Sequence, residues 1–339
     1  MRMKGRKDGT MDTRRIVSGI RPTGELHLGH YLGVLKNWVE LQSDYQCFYF
    51  VADWHALTSE YKDPEVIAQS TRDMVGTWLA VGIDPSRSVV FRQSDIKEHA
   101  ELFTLLSMIT PVAWLERNPT YKEMREELKD KDLGTFGFLG YPVLQAADIV
   151  MYHADRVPIG QDQLPHLELT REIVRRFSFL YGGGILKEPK EILTEAPKVP
   201  GLDGRKMSKS YGNAIFIAED EKSLESKVMQ MLTDIKRMRR NDPGEPDDCN
   251  LYPFHEHFTD EKERERITAG CRDASWGCVE CKRLLVNNLI ARFSPVWEKI
   301  AYYRSNTAIV DEVLAQGGAR ARAEAARTME RVRAAMKIS

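Results

Sequence analysis

The 339-residue chain has no excess of charge of either sign: 49 Lys and Arg stand against 50 Asp and Glu, a formal net charge of −1. Such balance excludes a histone-like protein that holds nucleic acid by bulk electrostatics, but not a local basic face offset by acids elsewhere. Long hydrophobic runs are also lacking. The longest candidate, Cys47–Ala52, is strand-sized and far short of the roughly 18 apolar residues that cross a bilayer, so no membrane span is expected. Cysteine is scarce, five in all, which argues against a disulfide framework. The opening MRMKGRKDGTMDTRR is basic but has no apolar core, so it does not read as a secretory signal. Residues 1–13 are expected to form a disordered lead, with Met11 as an alternative start, and a cytoplasmic location is expected. No internal repeat or low-complexity segment is visible.

What is present is an ordinary globular composition, 42 % hydrophobic, on a chain long enough for about two domains. Ile16–Ile20, Gln46–Ala52 and Ser88–Phe91 read as short buried strands. Between them, Leu28, Leu32, Leu35 and Val39, then Val66, Met74, Trp78 and Leu79, follow helical spacing. This alternation predicts an α/β fold with a doubly wound parallel sheet. Ligands of such sheets sit at the carboxyl ends of the strands, so Ser18–Gly24, Asp53–His55 and Gln93–Ser94 are expected to converge. Residues 117–140 change from a charged to a glycine-rich stretch and read as a solvated helix and loop. The next helix, about 141–152, carries Tyr141, Gln145, Asp148 and Tyr152 at spacings of 4, 3 and 4 on an otherwise apolar segment. Buried polar groups need partners, so this stripe closes a hydrogen-bond network or faces a ligand. Beyond Ala218 the pattern is helical over 222–240, 261–270, 280–303 and 307–337, which puts the natural break near 205–218.

Three constellations carry chemistry. In Thr23-Gly-Glu-Leu-His27-Leu-Gly29-His30, two histidines share the first turn of a helix that follows a strand. Backbone N–H groups and the positive dipole end gather there and favour a polyphosphate, while Gly29 lets a flat base approach the backbone. Surface or zinc-binding histidines are the alternative, but HExxH is absent and no third ligand is near. The second constellation, Lys206-Met207-Ser208-Lys209-Ser210, is flanked by Gly201, Gly204 and Gly212; two lysines on a glycine-hinged loop can close on a polyphosphate. The third is Cys249, Cys271, Cys278 and Cys281, spaced C-x21-C-x6-C-x2-C, a donor set that suits a soft metal centre, with incidental thiols as the alternative. Cys47, inside a strand, reads as apolar filler. A basic run, Lys236, Arg237, Arg239 and Arg240, with Arg322, Arg327, Arg331 and Arg333 of the last helix, offers a phosphate-tracking face or simply solvated helices.

HLGH with KMSKS on such a sheet resembles the class I aminoacyl-tRNA synthetases. YPVLQAADIVMY (141–152) and VPIGQDQLPHLELTRE (157–172) narrow the resemblance, which covers about 14–337, to the bacterial tryptophanyl branch. Arg21 stands where many members have Gln, and Gln145 where many have Met. The resemblance implies a Rossmann-like catalytic domain over 14–217 with a helical insertion around 112–150, and a C-terminal α-helical tRNA-binding domain over 218–339. It implies activation of L-tryptophan by ATP with Mg²⁺, transfer to the 3′ end of tRNA(Trp), and a homodimer. Catalysis is then expected of His27, His30, Lys206 and Lys209. ATP is expected at Arg21, Pro22, Thr23, Gly29, His30, Gly160, Gln161, Asp162, Val199 and the KMSKS residues Lys206, Met207, Ser208, Lys209 and Ser210. Tryptophan is expected at Asp148, Tyr141, Gln145, Gln163, His55 and Val17. An acceptor-only carboxylate such as Asp148 suits the donor-only indole edge. Some members carry a 4Fe–4S cluster on a nearly identical cysteine spacing, one residue longer in the first gap. Cys249, Cys271, Cys278 and Cys281 are therefore expected to hold a structural 4Fe–4S cluster, with zinc as the alternative. A tyrosyl enzyme and a non-catalytic RNA-binding paralogue are the rival readings.

Overall fold

A computed structural model describes residues 14–119, 121–123, 133–194 and 199–338. The expected disordered lead, the Met11 start and residues 124–132 of the charged stretch lie outside the described residues.

Five strands form one parallel sheet in the order β3-β2-β1-β4-β5: β1 (Arg15–Ile20), β2 (Gln46–Val51), β3 (Val89–Arg92), β4 (Arg156–Ile159) and β5 (Lys190–Leu193). The doubly wound α/β sheet is as expected. β1 and β2 run in register from Arg15 opposite Gln46 to Ile20 opposite Val51. Cys47 to Val51 are buried without interruption, as a parallel strand covered on both faces requires. The strand order reverses direction at β1, so the crevice for a ligand opens where β1 and β4 end. Arg21, Pro22 and Thr23 follow β1 there, and Gly160, Gln161 and Asp162 follow β4.

The helices that matter to the site are α1 (Asp53–Glu60), α2 (Glu65–Val81), α3 (Glu98–Ser107), α4 (Phe136–Met151), α5 (Leu164–Tyr181), α6 (Cys278–Ser305) and α7 (Thr307–Met336). Thr135 caps α4 by accepting the Phe138 N–H at 3.2 Å, and Pro142 sits inside the helix. The helix expected over 222–240 ends at Gln230. Beyond it the Asp234 carboxylate takes the backbone N–H groups of Lys236 (2.8 Å) and Glu245 (2.9 Å), a local turn that competes with helix.

Contacts divide the chain discontinuously, where the sequence suggests one cut near 205–218. One unit takes the described residues of 1–24, 36–195 and 306–339; the other takes 25–35 and 196–305. The last helix belongs with the sheet because its stripe Leu314, Gly317, Ala321, Ala325 and Met329 is buried and α7 packs on β3. Small residues make that approach close: a Cβ at Gly317 would lie 1.8 Å from the Val90 carbonyl oxygen, whereas one at Gly318 would meet nothing within 4 Å.

Gly317→Ala is therefore expected to lower stability by about 1–3 kcal/mol through overpacking. Gly318→Ala in the same helix should leave it unchanged or raise it by up to about 1 kcal/mol. Urea unfolding followed by circular dichroism separates the two, and equal effects would contradict the close packing on Val90.

Candidate active site

In the sheet-containing unit, the polar stripe of α4 closes a network around Asp148, which is 1 % exposed. The carboxylate meets His55 Nε2 at 2.7 Å and His99 Nδ1 at 2.6 Å, and accepts from Gln93 Nε2 at 2.8 and 2.9 Å. Burial alone would raise its pKa; hydrogen bonds from His55 and His99 outweigh that and hold it below the usual carboxylate range. Asp148 is thus an ionised, acceptor-only group. The strand ends converge as expected: Gln93 Oε1 accepts the Trp54 N–H (3.2 Å), and Asp53 Oδ1 accepts those of Trp54 (3.1 Å) and Ser94 (3.0 Å). Gln93 and His99 were not among the expected ligand-reading residues. Gln93 follows a strand, which was a usable signal; a lone histidine in KEHAELF gives none.

Tyr141, also buried, meets His166 Nε2 through its hydroxyl at 2.8 Å, and His166 Nδ1 faces the Asn118 amide nitrogen at 3.2 Å. Burial first, then the neighbouring His55, depresses His166 to about 4, so it is neutral at pH 7. An amide N–H donating to Nδ1 leaves the proton on Nε2, which donates to the tyrosine oxygen. Gln163 is half-buried and donates to Asp162 Oδ2 at 2.9 Å. Gln145 is half-buried, Arg21 is exposed within electrostatic range of Tyr141 and Glu60, and Val17 is buried in the apolar core. A Cβ at Gly160 would sit 2.5 Å from Asp162 Oδ1, so the glycine makes room for that carboxylate.

The second unit brings HLGH and KMSKS together. Leu28 N–H donates to Ile215 O at 2.9 Å and Ile217 N–H to Leu26 O at 2.8 Å, around an antiparallel bridge between His27 and Phe216. The segment that follows KMSKS therefore pairs with the segment that carries the histidines. His27 is held down to about 4, by burial first and then by the charges of Lys209 and Lys206, and is neutral. Its backbone N–H donates to His30 Nδ1 at 3.2 Å, and the two rings lie 3.9 Å apart. A Cβ at Gly29 would come within 2.9 Å of the His27 ring, a second reason for glycine beside the expected approach of a base. Within the lysine loop Val199 and Met207 are buried, Lys206 is exposed and Ser208 Oγ lies 2.8 Å from Ser210 Oγ. Asn213, 3 % exposed, organises it: Oδ1 accepts Ser208 N–H (2.8 Å), and Nδ2 donates to Asp203 (2.7 Å) and to the Lys206 carbonyl (3.3 Å). Asn213 was missed because an amide after a glycine reads as an ordinary turn residue.

The expected 4Fe–4S or zinc centre is not supported. Cys249, Cys271, Cys278 and Cys281 do line one small cavity, of about 30 Å³, room for a water or two. Yet among the described residues no group of three or more His, Cys, Asp or Glu is placed to hold a metal ion. Burial first, with the neighbouring cysteines adding to it, raises the thiols of Cys249, Cys271 and Cys281, the last to about 12. Cys281 Sγ lies 3.2 Å from His255 Nε2, and burial holds that histidine at about 4. All four cysteines, like the buried Cys47, are unbridged. The basic run is likewise engaged by its own chain: Arg237 donates to the carbonyls of Arg240 (2.8 Å) and Trp276 (2.9 Å), and Lys236 pairs with Asp248. In α7, Arg322 donates to Asp95 O, Arg327 to Glu324, Arg331 to Gly184 O and Arg333 to Glu101. Among the described residues no helix is long and apolar enough to cross a membrane.

Comparison with known proteins agrees with these signatures. The family model described as tRNA synthetases class I (W and Y) matches residues 11–294. A tryptophan–tRNA ligase of Thermotoga maritima is 53 % identical over 326 residues, 96 % of this chain and 99 % of the relative. One from Deinococcus radiodurans is 42 % identical over 324 residues, 94 % and 97 % of the two chains. The solved tryptophanyl-tRNA synthetase of Campylobacter jejuni, complexed with ADP and tryptophan, superimposes with a TM-score of 0.86 at 33 % identity, covering 95 % of this chain and 99 % of the other. A tyrosyl-tRNA synthetase of Archaeoglobus fulgidus, at 21 % identity and a TM-score of 0.66, shares the fold. With its histidine and lysine signatures paired and an ionised acid on the α4 stripe, the chain belongs to the tryptophanyl branch of the class I aminoacyl-tRNA synthetases.

Proposed function

We infer from this membership and the geometry how the residues divide a two-step ligation. The enzyme activates L-tryptophan with ATP and transfers the tryptophanyl group to tRNA(Trp). In the first step a carboxylate oxygen of tryptophan attacks the α-phosphorus of ATP, the bond to the β-phosphate oxygen breaks, and pyrophosphate leaves. In the second, the 3′-terminal ribose hydroxyl of the tRNA attacks the activated carbonyl and AMP leaves. Neither step needs covalent help from the protein; positioning and charge stabilisation carry them.

Lys206 and Lys209 supply positive charge to the phosphates, while His27 and His30 donate N–H bonds to oxygens on which charge develops. What most supports this assignment is the lysine charge already bearing on a neutral His27. Gly29, Val199, Met207, Ser208 and Ser210 are assigned to nucleotide binding. Arg21, Pro22, Thr23, Gly160, Gln161 and Asp162 are assigned to it as well, with Asp162 suited to ribose hydroxyls. Tyr141 and Gln163 hold the substrate ammonium, with the neutral His166 orienting the tyrosine oxygen. Val17 and Gln145 bound the indole.

Asp148 receives the indole N–H. Its in-plane acceptor positions are taken by three side chains, so the indole enters by replacing one donor. His55, whose side chain is 11 % exposed against 0 % for His99, is the one that gives way. Its N–H is then available to the substrate carboxylate. A ligand without an N–H would displace His55 and return nothing, which is the basis for rejecting phenylalanine. A homodimer in the cytoplasm is the assembly and location that suit a tRNA-charging enzyme.

Tryptophan-dependent ATP–pyrophosphate exchange, followed by charging of tRNA(Trp), tests the reading; exchange supported by tyrosine instead would overturn it. Lys209→Ala is expected to slow exchange by about 10²–10³-fold with little change in tryptophan binding, as for a lost transition-state donor. Equal losses in rate and binding would make it a ground-state contact. Asp148→Asn should weaken tryptophan binding by about 10–10²-fold, the range for a charge-assisted hydrogen bond. Calorimetric titration measures it, and unchanged affinity in the folded variant would remove Asp148 from the indole.

A further inference from the structure

Behind Asp148 stand two side chains that none of these steps uses. His99 on α3 and Tyr152, the residue that closes α4, are both 0 % exposed. His99 Nδ1 lies 2.6 Å from Asp148 Oδ1, and His99 Nε2 lies 2.6 Å from the Tyr152 hydroxyl. The carboxylate end fixes one proton position. An ionised carboxylate can only accept, so Nδ1 carries hydrogen; in the neutral imidazole Nε2 is then the acceptor for the tyrosine O–H. Burial, with the nearby Asp148 charge, pushes Tyr152 well above the ordinary phenol range, so the hydroxyl keeps its proton. The relay is also mechanically fixed. Tyr152 stacks on Phe48 at 4.7 Å and meets the edge of Phe91 at 5.4 Å, and His99 lies 6.3 Å from Phe50 and 6.2 Å from Phe91, centroid to centroid.

We propose that His99 and Tyr152 are positioning residues for tryptophan selection: the tyrosine hydroxyl anchors the imidazole at Nε2, and the Nδ1–H of the ring so held keeps the Asp148 carboxylate in the orientation that receives the indole. The proposal rests on the reading of Asp148 as the partner of the indole N–H. Without the hydroxyl, Nε2 loses its buried partner, and the ring that presents Nδ1–H to the carboxylate is no longer anchored from behind. His55 gives way to substrate; His99 does not, and so sets the angle at which the acceptor waits.

The test compares L-tryptophan with its isostere carrying sulfur in place of the indole N–H, which cannot use the acceptor. Tyr152→Phe keeps the stacked ring and removes the hydroxyl alone. In pyrophosphate exchange it should raise the KM for tryptophan about tenfold with kcat within twofold, and leave the inhibition constant of the sulfur analogue unchanged. The preference for the natural ligand then narrows about tenfold. His99→Leu should narrow it further, and His99→Asn, whose amide still donates to Asp148, should restore most of it. A folded Tyr152→Phe enzyme with unaltered preference, or one in which both ligands weaken equally, overturns the relay. If Tyr152→Phe does not fold, the His99→Leu and His99→Asn pair decides: equal preference in the two overturns it. Asp148→Asn in the same assay separates the two claims. Should it leave the preference intact, the indole assignment itself fails; should it narrow the preference while the His99 and Tyr152 variants do not, only the relay fails.

Discussion

Two backbone hydrogen bonds, from Leu28 to Ile215 and from Ile217 to Leu26, tie together the two signatures on which the nucleotide chemistry depends. They are main-chain bonds, indifferent to side-chain identity, and they bring the end of the lysine loop to the start of the histidine turn. Electrostatics follows from that pairing. A histidine buried next to two lysines cannot afford a third positive charge, and its pKa falls to about 4. The proposed division of labour follows the same physics: the lysines would carry the charge and the neutral imidazole a directional N–H. Asn213 extends the same logic into the loop, because one buried amide satisfies Ser208, Asp203 and Lys206 together and so fixes the backbone between the two lysines.

The proposed amino-acid pocket uses the opposite strategy. Its central group, Asp148, is an anion to which His55, His99 and Gln93 supply donors. A carboxylate buried to this extent without partners would protonate or destabilise the fold. Here the hydrogen bonds keep it ionised. The arrangement makes selection a matter of exchange rather than of simple attraction. A ligand gains little by approaching Asp148 unless it returns the hydrogen bond it displaces, and this makes the penalty for a missing N–H larger than the reward for a present one.

Much of this was legible in the sequence where spacing and chemistry coincide. The three strands rich in branched and aromatic residues are β1, β2 and β3, and the 4-3-4 stripe at Tyr141, Gln145, Asp148 and Tyr152 does carry a polar network. The remaining strands were not visible for definite reasons. β4 is four residues long and contains Pro158, which weakens a strand reading, and β5, KEIL, has no fully buried position. The helix expected beyond Gln230 lost to an aspartate that offers the backbone better partners. The return of α7 to the sheet was hidden because Gly317 and Ala321, small residues in an Ala- and Arg-rich helix, look like surface filler until Val90 is seen beneath them. His99 was invisible altogether, since a single histidine in a helix has no periodic partner to announce it.

The cysteines mark the limit of spacing as evidence. C-x21-C-x6-C-x2-C correctly places four sulfur atoms around one cavity, because chain reach and helical periodicity are geometric properties that a sequence encodes directly. Whether those sulfurs are ligands depends on charge state, which is set by what each atom touches after folding. His255 is kept neutral by its own burial and sits 3.2 Å from Cys281, so it offers that sulfur no cation to stabilise a thiolate. Arg237 donates to Cys271 Sγ at 3.9 Å and, through its other terminal nitrogen, to the carbonyls of Arg240 and Trp276. Asp148 and Cys281 are both buried acids moved in opposite directions by their surroundings: hydrogen bonds from His55 and His99 hold the carboxylate down, while burial and the neighbouring cysteines push the thiol up to about 12.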